Sequence, residues 1–210
     1  MTLLALCLVL LAALTHAIWN ISAKFAADCR HFVWLFSAGS VLVYGPIVIA
    51  VLLVERPEFG ARHWLALSAT SILHLLYSLA LQTGYRHSDL SVVYPIARGT
   101  GPLLSFIGAA FLLGETPTPH SVLGLLLIVS GILLVAGLVG HHERAPGVGV
   151  LYGLLTGVCI AAYTLNDGWA VKVLLISPFL VDFTGNLFRM LVLAPRAWRD
   201  RAQVALEARQ

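Results

Sequence analysis

Charge is scarce in this chain: Asp, Glu, Lys and Arg make up 11% of its 210 residues, where ordinary soluble domains carry about 25%. Extramembrane sequence is scarce too. The polar stretches 55–63 (ERPEFGARH), 84–90 (GYRHSDL), 114–120 (GETPTPH) and 141–146 (HHERAP) are too short to fold as domains, which argues against a receptor with a ligand-binding ectodomain. No G-x-x-x-x-G-K-[ST] pattern occurs, so nothing in the chain would bind a nucleotide in the manner of an ATP-driven pump. The three cysteines, Cys7, Cys29 and Cys159, make no disulfide framework, and Cys7 and Cys159 fall in apolar runs where a cysteine is expected to act as a small buried filler. His141 and His142 form a doublet with no third ligand placed by spacing, so no metal and no other cofactor is expected. Basic residues cluster only near the C-terminus, which leaves no nucleic-acid partner.

What fills the chain is apolar. Hydrophobic residues reach 59% and mean hydropathy is +0.89. A spanning helix needs roughly 20 mostly apolar residues, and seven segments qualify: 3–23, 32–54, 64–83, 91–113, 121–140, 147–167 and 177–194. The expected fold is therefore all-α, a polytopic membrane helical bundle with about seven transmembrane helices and the lipid bilayer as its surroundings. The first segment is expected to be a retained helix. It lacks a basic leader, and the tripeptide THA at 15–17 is a poor cleavage site. Lys24, Arg30, Arg86, Arg144 and the tail arginines fall on one side, against Arg56, Arg62 and Lys172 on the other. The positive-inside rule then puts the tail inside and the N-terminus outside.

Several segments carry residues that lipid would penalise. The fourth reads VVYPIARGTGPLLSF from Val92 and holds Pro95, Arg98, Gly99, Gly101 and Pro102. Proline removes a backbone donor, glycine loosens the coil, and irregular backbone at membrane depth survives only inside protein or beside water. An interrupted helix is expected there. Arg98 in a span costs at least about 2.5–3.5 kcal/mol on insertion scales. It either snorkels to a surface, forms a structural contact, or offers a cation to an anionic solute. Tyr94, Arg98, Pro102 and Ser105 form one stripe, and Ala97, Gly101, Ser105 and Ala109 form a ladder of small residues that admits a neighbouring helix.

Other stripes are equally legible. His16, Trp19 and Asn20 lie together on the first segment, and the i, i+4 pair His16 and Asn20 shares a face. On the third, Ser71, His74, Ser78 and Gln82 recur at intervals of 3, 4 and 4, with Tyr77 beside them. That face meets protein or water, for packing or for transport. His16 and His74 are the two intramembrane groups that could exchange a proton near neutral pH. Asp182, Asn186 and Arg189 on the seventh place opposite charges on one face, and a structural ion pair between Asp182 and Arg189 is the expectation, with a substrate or proton site as the alternative. Asp167 is expected at an interface, and Glu115 at a headgroup boundary. Gly124 and Gly131, and the G-x-x-x-G of Gly153 and Gly157, are read as close-packing faces. A faint repeat relates ALTHAIWNISAK (13–24) to AAYTLNDGWAVK (161–172); His16 over Tyr163 gives an offset of 163 − 16 = 147, at which Lys24 and Lys172 miss by one position.

The stretches HAIWNISAK, DLSVVYPIARGTGPLLSF and LLGE followed by LGLLLIVSGILLV resemble the EamA-like repeat of the drug/metabolite transporter superfamily. The resemblance covers residues 3 to about 139 as one five-helix repeat, and 147–194 looks like the opening of a second. It implies ten helices in two inverted repeats around a central cavity, and secondary active transport of a small metabolite, amino acid or drug without ATP. His16, Trp19, Asn20, Tyr94 and Arg98 would line that cavity. It also implies both termini in the cytoplasm, against the charge count. The resulting division is a first repeat over 1–140, a partial second over 147–195 and a basic tail over 196–210. The expected function is transport by alternating access in the cell inner (plasma) membrane. The expected partners are a small-molecule substrate and a second copy or another chain. The alternatives are a non-transporting fragment or assembly subunit, and a membrane-embedded enzyme; for the last, no recognised spacing joins Asp167 or Asp182 to His16 or His74, so no catalytic residue is assigned.

Overall fold

A computed structural model describes residues 3–112, 114–138 and 146–208. The histidine doublet at 141–142 lies outside them. Seven long helices follow the seven apolar segments: α1 (Leu3–Phe25), α2 (Phe32–Glu55), α3 (Ala61–His87), α4 (Leu90–Leu112), α5 (Pro119–Leu138), α6 (Pro146–Lys172) and α7 (Pro178–Arg199). A 3-10 turn (Ala26–Asp28) joins α1 towards α2, and a short α8 (Arg201–Glu207) follows α7. No strand occurs among the described residues. The chain is an all-α, multi-pass membrane bundle.

Alternating direction gives the bundle two ends. One, the proximal end, carries the α1–α2 link, the α3–α4 link and α8; the other, the distal end, carries the α2–α3 and α6–α7 links. By length and composition α1, α2, α3 and Gly147–Lys172 of α6 qualify as membrane spans. α4 and α7 have the length but fall short in composition. They are the helices that carry Arg98, and Asp182 with Arg189.

The core lies between α3, α4 and α6 on one side and α2, α3 and α7 on the other. Glycine makes the α4–α6 approach possible. A Cβ on Gly157 would stand 2.6 Å from Thr100 Cβ, and one on Gly101 would stand 2.6 Å from Ile160 Cγ2. The ladder beginning at Ala97 thus does admit a neighbouring helix. Gly124 and Gly131 of α5 correct the expectation for the fifth segment: a Cβ there would meet nothing within 4 Å. The spacing is suited to close packing, but α5 leans chiefly on α4 and turns these glycines away from it.

Two further expectations are corrected. α4 is continuous from Leu90 to Leu112 despite Pro95 and Pro102. Each proline withholds one N–H, from the carbonyls of Ser91 and Arg98, and the neighbouring helices hold the coil together around these gaps. Cys7 is exposed on α1 instead of filling the interior. Beyond its expected end, α7 runs on through Pro195 to Arg199, so the basic tail is helical at its start.

Candidate functional site

The polar stripe of α3 faces inwards and gathers partners from four other helices. At its distal part Thr70, fully buried, donates to Asp167 Oδ1 of α6 and accepts from Asn166 Nδ2 at 2.7 Å. Asn166 also donates to the carbonyl of Ala66 at 2.9 Å. One turn along, His74 Nε2 stands 3.4 Å from Asp167 Oδ2. The expectation that Asp167 is interfacial is therefore overturned: it lies five residues inside the end of α6 and is bound within the bundle. The cause is rotational. Asn166 and Asp167 share the α6 face that carries Tyr163, and this face packs on α3.

In mid-bundle the ring of Tyr163 meets His74 edge-on at 4.2 Å between centroids, and Tyr77 at 5.5 Å. Tyr77 in turn interacts with the Arg98 guanidinium. Arg98 is half-buried, reaches His16 Nε2 at 2.5 Å, and lies 5.5 Å from the Tyr94 ring centroid, a cation–π arrangement. A guanidinium only donates, so this bond needs a lone pair on His16 Nε2 and the ring proton on Nδ1. His16 stacks on Trp19 at 6.0 Å, and its carbonyl accepts from Asn20 Nδ2 at 2.7 Å. Asn20 is buried and accepts from the Tyr85 hydroxyl at 3.2 Å. At the proximal end Lys24 Nζ donates to the carbonyls of Tyr85 and Ser88 at 2.5 and 2.8 Å.

These contacts form one polar seam. From Thr70 to Tyr85 it follows α3 for 15 residues, about 22 Å at 1.5 Å per residue, against a hydrocarbon core of ~30 Å. His16, Trp19, Asn20, His74, Tyr77, Tyr94 and Arg98 all lie along it. A branch leads to α7. The buried Arg189 donates to Ser78 Oγ at 2.6 Å and to Asn186 Oδ1 at 2.7 Å, and Asn186 Nδ2 donates to Asp182 Oδ2 at 3.1 Å. The expected Asp182–Arg189 ion pair is thereby corrected: Asn186 stands between the two charges. The i, i+7 separation puts both on one face but two turns apart, and the amide fills the gap.

Sequence reasoning missed Thr70, Asn166 and Tyr163 as members of the seam. Thr70 sits four residues before His74, so extending the α3 stripe by one turn would have found it. Tyr163, Asn166 and Asp167 follow i, i+3, i+4 spacing, a face signal that was read only as a repeat. Glu115 does lie exposed at the distal end, 3.3 Å from Lys172 Nζ.

Helices with broad apolar outer faces surround a polar seam that is buried along α3 and opens at the exposed His16, the build of a multi-pass membrane protein. The chain belongs to the EamA-like transporter family, whose model matches residues 3–137. It is also similar to the "Triose phosphate/phosphate translocator, non-green plastid, chloroplastic" of Brassica oleracea var. botrytis, with 29% identity over 101 residues. That match takes in 48% of this chain and 24% of the plastid protein, so the chain spans only about a quarter of that relative's length.

Proposed function

We propose that this protein is part or all of a secondary active transporter that moves a small metabolite, amino acid or drug-like solute along the α3 seam by alternating access. The observation that carries the reading is the seam itself: interlocked polar groups from α1, α3, α4, α6 and α7 over a length of about three quarters of the bilayer core. Polar groups at that depth are costly unless they serve one another or a passing solute. The plastid relative is named for phosphate and triose phosphate, both small anions, and Arg98 and Arg189 suit an anionic solute here as well. His16, Trp19, Asn20, Tyr77, Tyr94 and Arg98 form the solute-facing group.

His74 is the proposed proton carrier. Tyr163 and Asp167 of α6 face it, Gly185 of α7 lies against its Nδ1, and Tyr77 and Ser78 flank it on α3. Protonation would turn the 3.4 Å contact with Asp167 into an ion pair and so bias the packing of α3 on α6. α1 meets the rest of the bundle mainly near its C-terminal end, so we assign its open flank to helices of a second copy or of another chain. The two repeats at 1–140 and 147–195, residence in the plasma (inner) membrane, and a cytoplasmic proximal end belong to the same proposal.

The test is reconstitution into proteoliposomes loaded with labelled amino acids and organic acids, with efflux followed with and without a pH gradient. Gradient-accelerated efflux that His74→Gln makes gradient-independent is expected. Absence of protein-dependent efflux defeats the transport reading; efflux indifferent to the gradient defeats the role of His74.

A further inference from the structure

Arg189 is more deeply buried than Arg98, and its surroundings differ. It is 6% exposed, and both of its direct partners, Ser78 Oγ and Asn186 Oδ1, are neutral. Its Nε is buried and finds no acceptor among the described residues. The same holds for Trp19 Nε1. These two orphan donors line one cleft at the meeting of α1, α2, α3 and α7, with Phe32, Phe36, Ser78 and Gln82. Buried donors without acceptors are destabilising, and a membrane interior offers no bulk water to relieve them.

The cleft has a definite chemistry. Its two unsatisfied groups both donate, and one belongs to a fixed cation. Gln82 does not supply a compensating charge, and its amide donates to the carbonyl of Ala26. The charge of Asp182, on the same face, reaches Arg189, but no hydrogen bond joins the two directly: the bonded path runs through Asn186. The walls are aromatic: Trp19 packs on Phe36 at 5.6 Å and Phe32 on Phe36 at 6.4 Å between centroids. The void is ≈ 20 Å³, room for about one water-sized group. Ser78 lies nine residues inside the proximal end of α3, about 13 Å at 1.5 Å per residue.

We infer that the Arg189–Trp19 cleft is a binding subsite for the carboxylate of a small monoanionic solute with an apolar or aromatic substituent. The carboxylate accepts from Arg189 and from Trp19 Nε1, and the substituent lies against Phe32 and Phe36. A single guanidinium matches one negative charge, and its planar fork suits two carboxylate oxygens. The compact void is the closed form of a cleft that widens as the bundle alternates. This rests on the transport reading for its purpose but not for its test.

The experiment uses the full chain, purified free of lipid in a neutral detergent, with phenylacetate, phenylacetamide and inorganic phosphate as probes. Binding is read by calorimetry and by thermal shift. Phenylacetate is expected to bind and to raise the melting temperature, and phenylacetamide and phosphate are expected to do neither. Arg189→Gln is expected to weaken phenylacetate binding by tenfold or more. Trp19→Phe, which keeps the aromatic wall and removes the donor, is expected to weaken it about tenfold and guards against misfolding of the arginine variant. Amide binding equal to the acid, phosphate binding equal to the acid, or unchanged affinity in Trp19→Phe overturns the inference, as does absence of phenylacetate binding. A chain that fails these tests but still drives efflux loses the subsite and keeps transport. A chain that passes them and drives no efflux keeps the subsite and loses transport.

Discussion

Two glycine substitutions of identical chemistry should move stability in opposite directions. At Gly157 of α6 a first carbon already stands 2.6 Å from Thr100 Cβ, 3.0 Å from Thr100 Cγ2 and 3.2 Å from the Gly101 backbone nitrogen. The first of these is shorter than real Cβ contacts, the other two are tight, and the last involves backbone that cannot swing away. Overpacking by even small groups costs about 1–3 kcal/mol, so Gly157→Leu, with three further carbons, should cost about 3 kcal/mol or more. At Gly124 of α5 the same carbon meets nothing within 4 Å. Gly124→Leu therefore gains only the helix preference of leucine over glycine, up to about 1 kcal/mol. At about 2–4 °C per kcal/mol for a chain of this size, Gly157→Leu should melt at least about 6 °C lower and Gly124→Leu up to about 4 °C higher. The assay is loss of the monodisperse peak in detergent after stepped heating. Equal shifts, or a Gly157→Leu protein as stable as the parent, would refute the assignment of the α4–α6 face as the tight interface and of α5 as a loosely applied helix.

Arg98→Gln should raise the amount of protein in the membrane, because a charge worth about 2.5–3.5 kcal/mol on insertion scales is removed, while efflux from proteoliposomes falls at least tenfold; a parallel fall in both quantities would contradict the solute-facing role. Glu207 should make the proximal end acid-sensitive. Burial alone would push its carboxyl up, but hydrogen bonds from Gln203 and from the backbone N–H groups of His31 and Arg30, with the nearby His31, outweigh it and hold the group below its ordinary 4.5. The folded value is depressed, so the clamp of α8 on the α1–α2 link is at full strength above about pH 4.5 and is lost as pH falls through the folded value. Hydrogen exchange at Arg30 and His31 should accelerate there, and Glu207→Gln should already exchange fast at pH 7; an unchanged rate in that variant would discount the clamp. If the proximal end is cytoplasmic as proposed, Gln203→Cys in a background with Cys7, Cys29 and Cys159 changed to Ser should resist an impermeant thiol reagent in intact cells until the membrane is opened, and immediate labelling would invert the orientation.

Much of this protein could be read from its composition and periodicity. Long apolar runs cannot stay in water, and bilayer hydrocarbon forces each run to satisfy its backbone internally. The order of the seven helices therefore follows from the apolar runs, clearest for α1, α2, α3 and α6 and weaker for α4 and α7, and the α3 stripe follows from the 3.6-residue turn. Periodicity gives the face on which a residue lies, but not what that face meets. Gly124 and Gly131 looked as suited to packing as Gly153 and Gly157, yet only the α6 pair found a neighbour. Asp167 near a helix end read as interfacial, yet the rotation of α6 turned it onto Thr70 and His74. Asp182 and Arg189 shared a face and invited a pairing that their two-turn separation leaves to Asn186. Such choices depend on how separate helices rotate and approach one another, contacts between residues up to a hundred or more positions apart, which no local pattern encodes.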